Sequence, residues 1–168
     1  MTNLLIILLL LVGCQEPTDC AGVPNGDSTV SIVTDWNIQI KVSMSPWNLL
    51  PSVSDSLNYL GVNSESSDEF DSLYDIPEPP ASPGNNVVLY FPHSEWDYTL
   101  GGEEWSRFTA DYKSNEICDS KEWNIIVKAN TMGNGELNFL YQDVPDDLIV
   151  ELISNEEAIN ITDGMSID

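Results

Sequence analysis

Cations are scarce in this chain. Five Lys and Arg stand against 28 Asp and Glu in 168 residues, with one His, giving a formal net charge of −23 and a pI near 4.1. Recognition of phosphate needs cations that displace its counterions, so nucleic acid is excluded as a partner, and the bare surface is unsuited to anionic lipid. Long apolar runs are missing too: the longest, Leu4 to Val12, has nine residues, about half of what a bilayer-spanning helix needs. No long stretch of helical period follows it. The familiar catalytic signatures are also absent, with no G-x-S-x-G, no H-E-x-x-H and no glycine-rich phosphate loop, so the chain reads as non-catalytic. An enzyme, such as a glycosidase working through two of the many carboxylates, is the remaining alternative and needs a pocket holding a carboxylate of raised pKa. What remains is enough for a core. Apolar residues make up 42% and five are Trp, which separates the chain from disordered acidic sequences, and 168 residues fit one domain.

The apolar run ends in Leu11-Val12-Gly13-Cys14, preceded by the uncharged Met1-Thr2-Asn3. This resembles the lipobox of bacterial lipoproteins, in which a short apolar segment is cut before a Cys that carries the lipid. Without that Cys the same run reads as an ordinary signal peptide or a buried strand. The resemblance implies a signal peptide over residues 1–13, removed on maturation, and lipidation at Cys14. A polar tether, residues 14–28, then links the lipid to a domain over residues 29–168. Gln15 is not the acidic residue that retains such proteins in the inner membrane, so the expected address is the outer membrane or cell surface.

Three Cys are present. With Cys14 occupied by lipid, Cys20 and Cys118 make an even pair in a compartment that permits disulfides. Such a bridge closes about 98 residues, for which loop entropy gives roughly 4–5 kcal/mol. Asp19-Cys20-Ala21-Gly22-Val23-Pro24-Asn25-Gly26-Asp27 is similar to half of an Asp/Cys/Gly calcium-binding linker repeat, without its second Cys.

Within the domain, Trp36, Ile38, Ile40, Val42 and Met44 alternate with Asn37, Gln39, Lys41 and Ser43, the pattern of a half-buried strand. Residues 45–85 break the pattern and read as a long excursion, with a helical turn admissible in 52–60. Its second half is acidic and ends in Pro77-Glu78-Pro79-Pro80-Ala81-Ser82-Pro83-Gly84, a stiff strap. Strand signals return at 87–91, 96–100, 105–112, 123–128, 136–141, 148–153 and 158–161. Turn chemistry separates them at Pro92-His93, Gly101-Gly102, Ser114-Asn115, Gly133-Asn134-Gly135 and Pro145-Asp146-Asp147. The expected fold is all-β: an antiparallel β-sandwich of the immunoglobulin or fibronectin kind with a long acidic, Pro-rich loop. The stretches 71–80 and 89–96 resemble an uncharacterised β-module of secreted multidomain bacterial proteins. That resemblance implies a surface-exposed module and supplies no catalytic residues.

Three groups are candidate sites. Asp68, Asp71 and Asp75 lie in a loop with no cation of its own, so calcium is an optional tie there, while Phe70, Leu73, Tyr74 and Ile76 are expected to dock the loop on the domain. Trp96, Tyr98 and Trp105 bracket a turn and, if exposed in one plane, would stack on sugar rings, making a carbohydrate-binding module the alternative to a plain interaction module. Extended backbone puts His93, Glu95 and Asp97 on one side as a conceivable metal set. The expected partners are the membrane, through the lipid, and an unidentified protein or glycan.

Overall fold

The computed structural model describes residues 4–12, 31–47, 50–96, 98–100, 103–117, 120–155 and 157–168. Among them there is no helix. The strands in chain order are β1 (Leu4–Val12), β2 (Ser31–Ile32), β3 (Trp36–Pro46), β4 (Val53–Asn63), β5 (Ile76–Pro77), β6 (Val87–Pro92), β7 (Thr99–Leu100), β8 (Glu103–Glu104), β9 (Arg107–Ser114), β10 (Glu116–Ile117), β11 (Ser120–Ala129), β12 (Gly133–Gln142), β13 (Leu148–Ser154), β14 (Glu157–Ile161) and β15 (Ser166–Ile167).

One sheet dominates, in the order β14-β13-β1-β11-β6-β9-β4-β3-β12-β15, with β5 added beside β9. It curls back on itself. Trp36 of β3 meets Trp123 of β11 edge-on at 6.0 Å, although several strands separate them in the sheet. Val42 and Leu137 likewise face Val127 and Leu152 around a cavity of about 460 Å³. The alternating set of β3 behaves as its spacing demands: Trp36, Ile38, Ile40 and Val42 are buried, together with Phe91, Phe108, Ile125 and Phe139 from other strands. The all-β expectation holds, with a correction to its geometry. The sheet is mixed rather than purely antiparallel, because β4 runs parallel to β9 from Tyr59↔Ala110 to Asn63↔Ser114.

The excursion expected over 45–85 is also shorter than its composition suggests. Residues 53–63 are a central strand, β4, with no helical turn, paired to β3 on one side and β9 on the other. A bulge between the Ile40↔Asn58 and Val42↔Asp55 pairs inserts one extra residue into β4. It leaves Leu57 exposed and Asn58 fully buried. The Asn58 amide donates to the Ile40 carbonyl at 3.3 Å and accepts from the Thr109 hydroxyl at 3.1 Å, which satisfies a polar group in the core.

Two glycines allow backbones to approach. A Cβ at Gly61 would stand 2.3 Å from the Trp36 carbonyl oxygen, and one at Gly133 would stand 2.3 Å from that of Ser45. Gly133 and Gly135 are therefore ladder residues at the start of β12 rather than the tight turn their sequence suggests. The Gly101-Gly102 turn lies outside the described residues, between the paired strands β7 and β8.

Candidate functional site

The chemistry-bearing side chains of the described residues gather where the acidic segment 64–78 lies against β6 and β9. β9 brings the buried Asp111 to this place, and the end of β6 brings His93, whose backbone N–H bonds the Ser106 carbonyl. The His93 ring stands between two carboxylates, with Nδ1 2.6 Å from Glu95 and Nε2 2.7 Å from Asp111. With an acceptor oxygen facing each nitrogen, the surroundings favour the doubly protonated imidazole. Burial pulls its pKa down, but the hydrogen bonds and charges of Asp111 and Glu95 outweigh it and hold the pKa above 6.5. His93 and Glu95 meet, but across a turn at Ser94-Glu95 rather than along extended backbone, and the third partner is Asp111. Asp97 lies outside the described residues.

Beneath the imidazole lies an aromatic cluster. Phe70, Trp96 and Tyr98 surround Phe108, with Phe70 and Tyr98 centroids 4.6 Å apart and Trp96 and Phe108 4.8 Å apart. The exposed sugar-stacking plane expected of Trp96, Tyr98 and Trp105 is corrected here. Trp96 is only 9% exposed and Tyr98 is half-buried, because Phe70 of the acidic segment packs on both and His93 lies on the indole. Trp105 stands apart, half-buried beside Arg107 and Glu78 at a cavity of about 290 Å³.

The acidic segment docks through polar bonds as well as rings. Asp68 takes Lys121 Nζ at 2.5 and 2.8 Å and also the Ser114 N–H and hydroxyl. Burial raises the Asp68 pKa, and the Lys121 and Ser114 bonds overcome it, leaving the pKa below 3.8. Asp71 accepts the Ser67 N–H and hydroxyl. Asp75, 1% exposed, accepts the N–H groups of Asp71 and Tyr112. The three candidate calcium ligands thus serve as backbone and lysine acceptors. Among the described residues no group of three or more His, Cys, Asp or Glu is arranged to hold a metal. The four expected docking residues divide: Phe70 joins the core and Tyr74 stacks obliquely on Tyr112, whereas Leu73 is 82% exposed and Ile76 45%.

The acidic segment holds two buried acids, Asp75 near Asp111 and Glu78 at the separate cavity beside Trp105. Burial pushes Asp75 up to about 6, and it pushes Glu78, whose Oε2 has no hydrogen-bond partner, up to about 7. Sequence reasoning passed over Asp111 and Glu78. The available signal was an acid inside the apolar strand 108–112 in a chain with only one His to pair it.

Cys14, Cys20 and Cys118 lie outside the described residues. β10, beside Cys118, pairs with β2, and the Asn115 side-chain amide donates to the Val33 carbonyl at 3.0 Å.

Compared with protein-family models, with curated proteins and with solved structures, the chain finds no match.

Proposed function

We propose that the chain is the precursor of a lipid-anchored surface protein, whose all-β, sandwich-type domain is a non-catalytic module for interaction or structure. The observation that carries this reading is the nine-residue apolar run ending in Leu11-Val12-Gly13-Cys14. Lipid on Cys14 would supply the membrane attachment that a charge of −23 denies to the protein's own surface. Gln15 favours the outer membrane or cell surface. The non-catalytic part rests on how the reactive groups are engaged. Both nitrogens of the one His face carboxylates, and Asp68, Asp71 and Asp75 accept from lysine, hydroxyl or backbone N–H groups. Glu78, with an unpartnered Oε2 beside the cavity lined by Trp105 and Arg107, is the one acid of this segment that favours the second reading, an enzyme. The sugar-binding alternative loses its platform with the burial of Trp96.

Metabolic palmitate labelling of cells expressing the full chain tests the anchor. Label is expected on the wild type and is lost in Cys14→Ser, which accumulates as an uncleaved precursor. Equal labelling of both would overturn the assignment.

A further inference from the structure

Strand β1 occupies an interior place in the sheet. It pairs antiparallel with β11 from Leu4↔Val127 to Leu11↔Ser120, and with β13 from Ile7↔Ile153 to Val12↔Leu148. It is the strand that joins the β13–β14 hairpin to the rest of the sheet. The same nine residues are the apolar run of the signal peptide. On the reading that residues 1–13 are cut away, maturation empties this place and exposes the facing ladder edges of β11 and β13.

We infer that the mature domain is completed in trans: the slot between β11 and β13 receives an extended strand from a partner protein, inserted antiparallel to both. The walls state what that strand must be. Core-facing Trp123 and Ile125 of β11, and Val150 and Leu152 of β13, are each at most 2% exposed, and they stand opposite positions 6, 8 and 10 of β1. Cross-strand neighbours share a face, so the donor carries apolar residues at those alternate positions. On the opposite face two acids stand among Ile126, Asn124, Ile149 and Ile153. Position 9 lies directly across from both Glu122 and Glu151, the first exposed and the second half-buried. A Lys or Arg there meets two carboxylates at once. The partner's donor segment is therefore an alternating apolar strand with a cation at its outward centre. Main-chain hydrogen bonds on both sides supply affinity, and the alternating pockets and the two acids supply register.

The test uses the mature lipoprotein extracted from membranes, its N-terminus read by mass spectrometry, and three peptides of residues 4–12. One carries Leu9→Lys, one Leu9→Glu, and one Leu9→Lys with Leu8→Pro. Protein that begins at acylated Cys14 is expected to bind the Lys peptide. Amide exchange should then slow along 120–127 and 148–153. Each directly opposed charge pair on a sheet contributes a few tenths to 1 kcal/mol, so the Glu peptide should bind at least about fivefold more weakly. The Pro peptide, which breaks the ladder, should not bind. Glu122→Gln with Glu151→Gln should erase the Lys-over-Glu preference while leaving binding itself. Absence of binding, slow exchange in 120–127 and 148–153 without peptide, or indifference to the Lys, Glu and Pro changes would overturn the inference. Mature protein that retains residues 1–13 would overturn the signal reading and the inference together, and the mass distinguishes this from the other failures.

Discussion

His93 lies flat on Trp96, with ring centroids 3.5 Å apart and planes inclined by 3°. The imidazole thereby covers an indole that would otherwise be open to water, while Asp111 and Glu95 hold its charge in place from either side. Removing either ring should be felt throughout the cluster around Phe108. Trp96→Ala is expected to cost about 3–5 kcal/mol by opening a large cavity. His93→Phe keeps the stack but strands the buried Asp111, costing roughly 1–3 kcal/mol. Adding Asp111→Leu to His93→Phe should recover part of the loss. Urea unfolding of His93→Phe, Asp111→Leu and the double variant gives the coupling.

Stability should fall as pH rises from 4 to 8. Asp75 and Glu78 have folded pKa values of about 6 and about 7, above their ordinary 3.8 and 4.5, so the folded state holds protons that the unfolded chain releases. His93 acts in the same direction. Its raised pKa gives a contribution that is complete below 6.5 and lost as pH climbs through the folded value. The melting temperature is expected to drop across this range, and Asp75→Asn with Glu78→Gln should flatten the profile between pH 4 and 7. Below pH 4 the trend reverses. The lowered Asp68 contributes stability above 3.8 that disappears as it is protonated.

The Lys121 side chain is 8% exposed and Asp68 55%, so the lysine depends on the pair more than the acid does. Asp68→Ala leaves a buried ammonium without its carboxylate and should destabilise more than Lys121→Met, which replaces the charge with an apolar stem. Limited proteolysis should cut residues 64–78 faster in Asp68→Ala than in the wild type.

Millimolar calcium and chelator should give the same calorimetric transition, because the Asp68, Asp71 and Asp75 oxygens already accept from Lys121, Ser114, Ser67, Asp71 and Tyr112 donors. A transition raised by calcium would show a cation displacing those donors.

Cys20 and Cys118 are expected to form a disulfide. Thiol titration of the unfolded, unreduced mature protein should find no free group, and reduction should lower the melting temperature.

How much of this was readable in the sequence depended on whether one face of each strand is uniformly apolar. β3 is uniform from Trp36 to Val42, and its pattern is plain. β4 is not, because the bulge turns Leu57 outward and puts Asn58 in the core, which inverts the expected polarity at the strand's centre. Gly133 reads locally as a turn former, and only the nearby Ser45 carbonyl shows why a side chain is excluded there. The site was half legible. His93 and Glu95 are two residues apart and meet across a turn, where extended backbone was the expectation. Asp111 reaches His93 only through the pairing of β6 with β9, a relation between distant segments that spacing does not encode. The aromatic trio failed for a related reason: exposure is set by what the acidic segment covers, and Phe70 lies far from Trp96 in sequence.

The ladder between β3 and β12 joins Asn37 to Gln142, 105 residues apart. β3 meets one mate early, in the ladder with β4 from Trp36↔Val62 to Met44↔Val53, whereas its other edge waits for β12. Pairings at such separation form slowly, because the entropy of closing the intervening loop is paid before any contact repays it. That edge of β3 therefore stays open until the last third of the chain is synthesised.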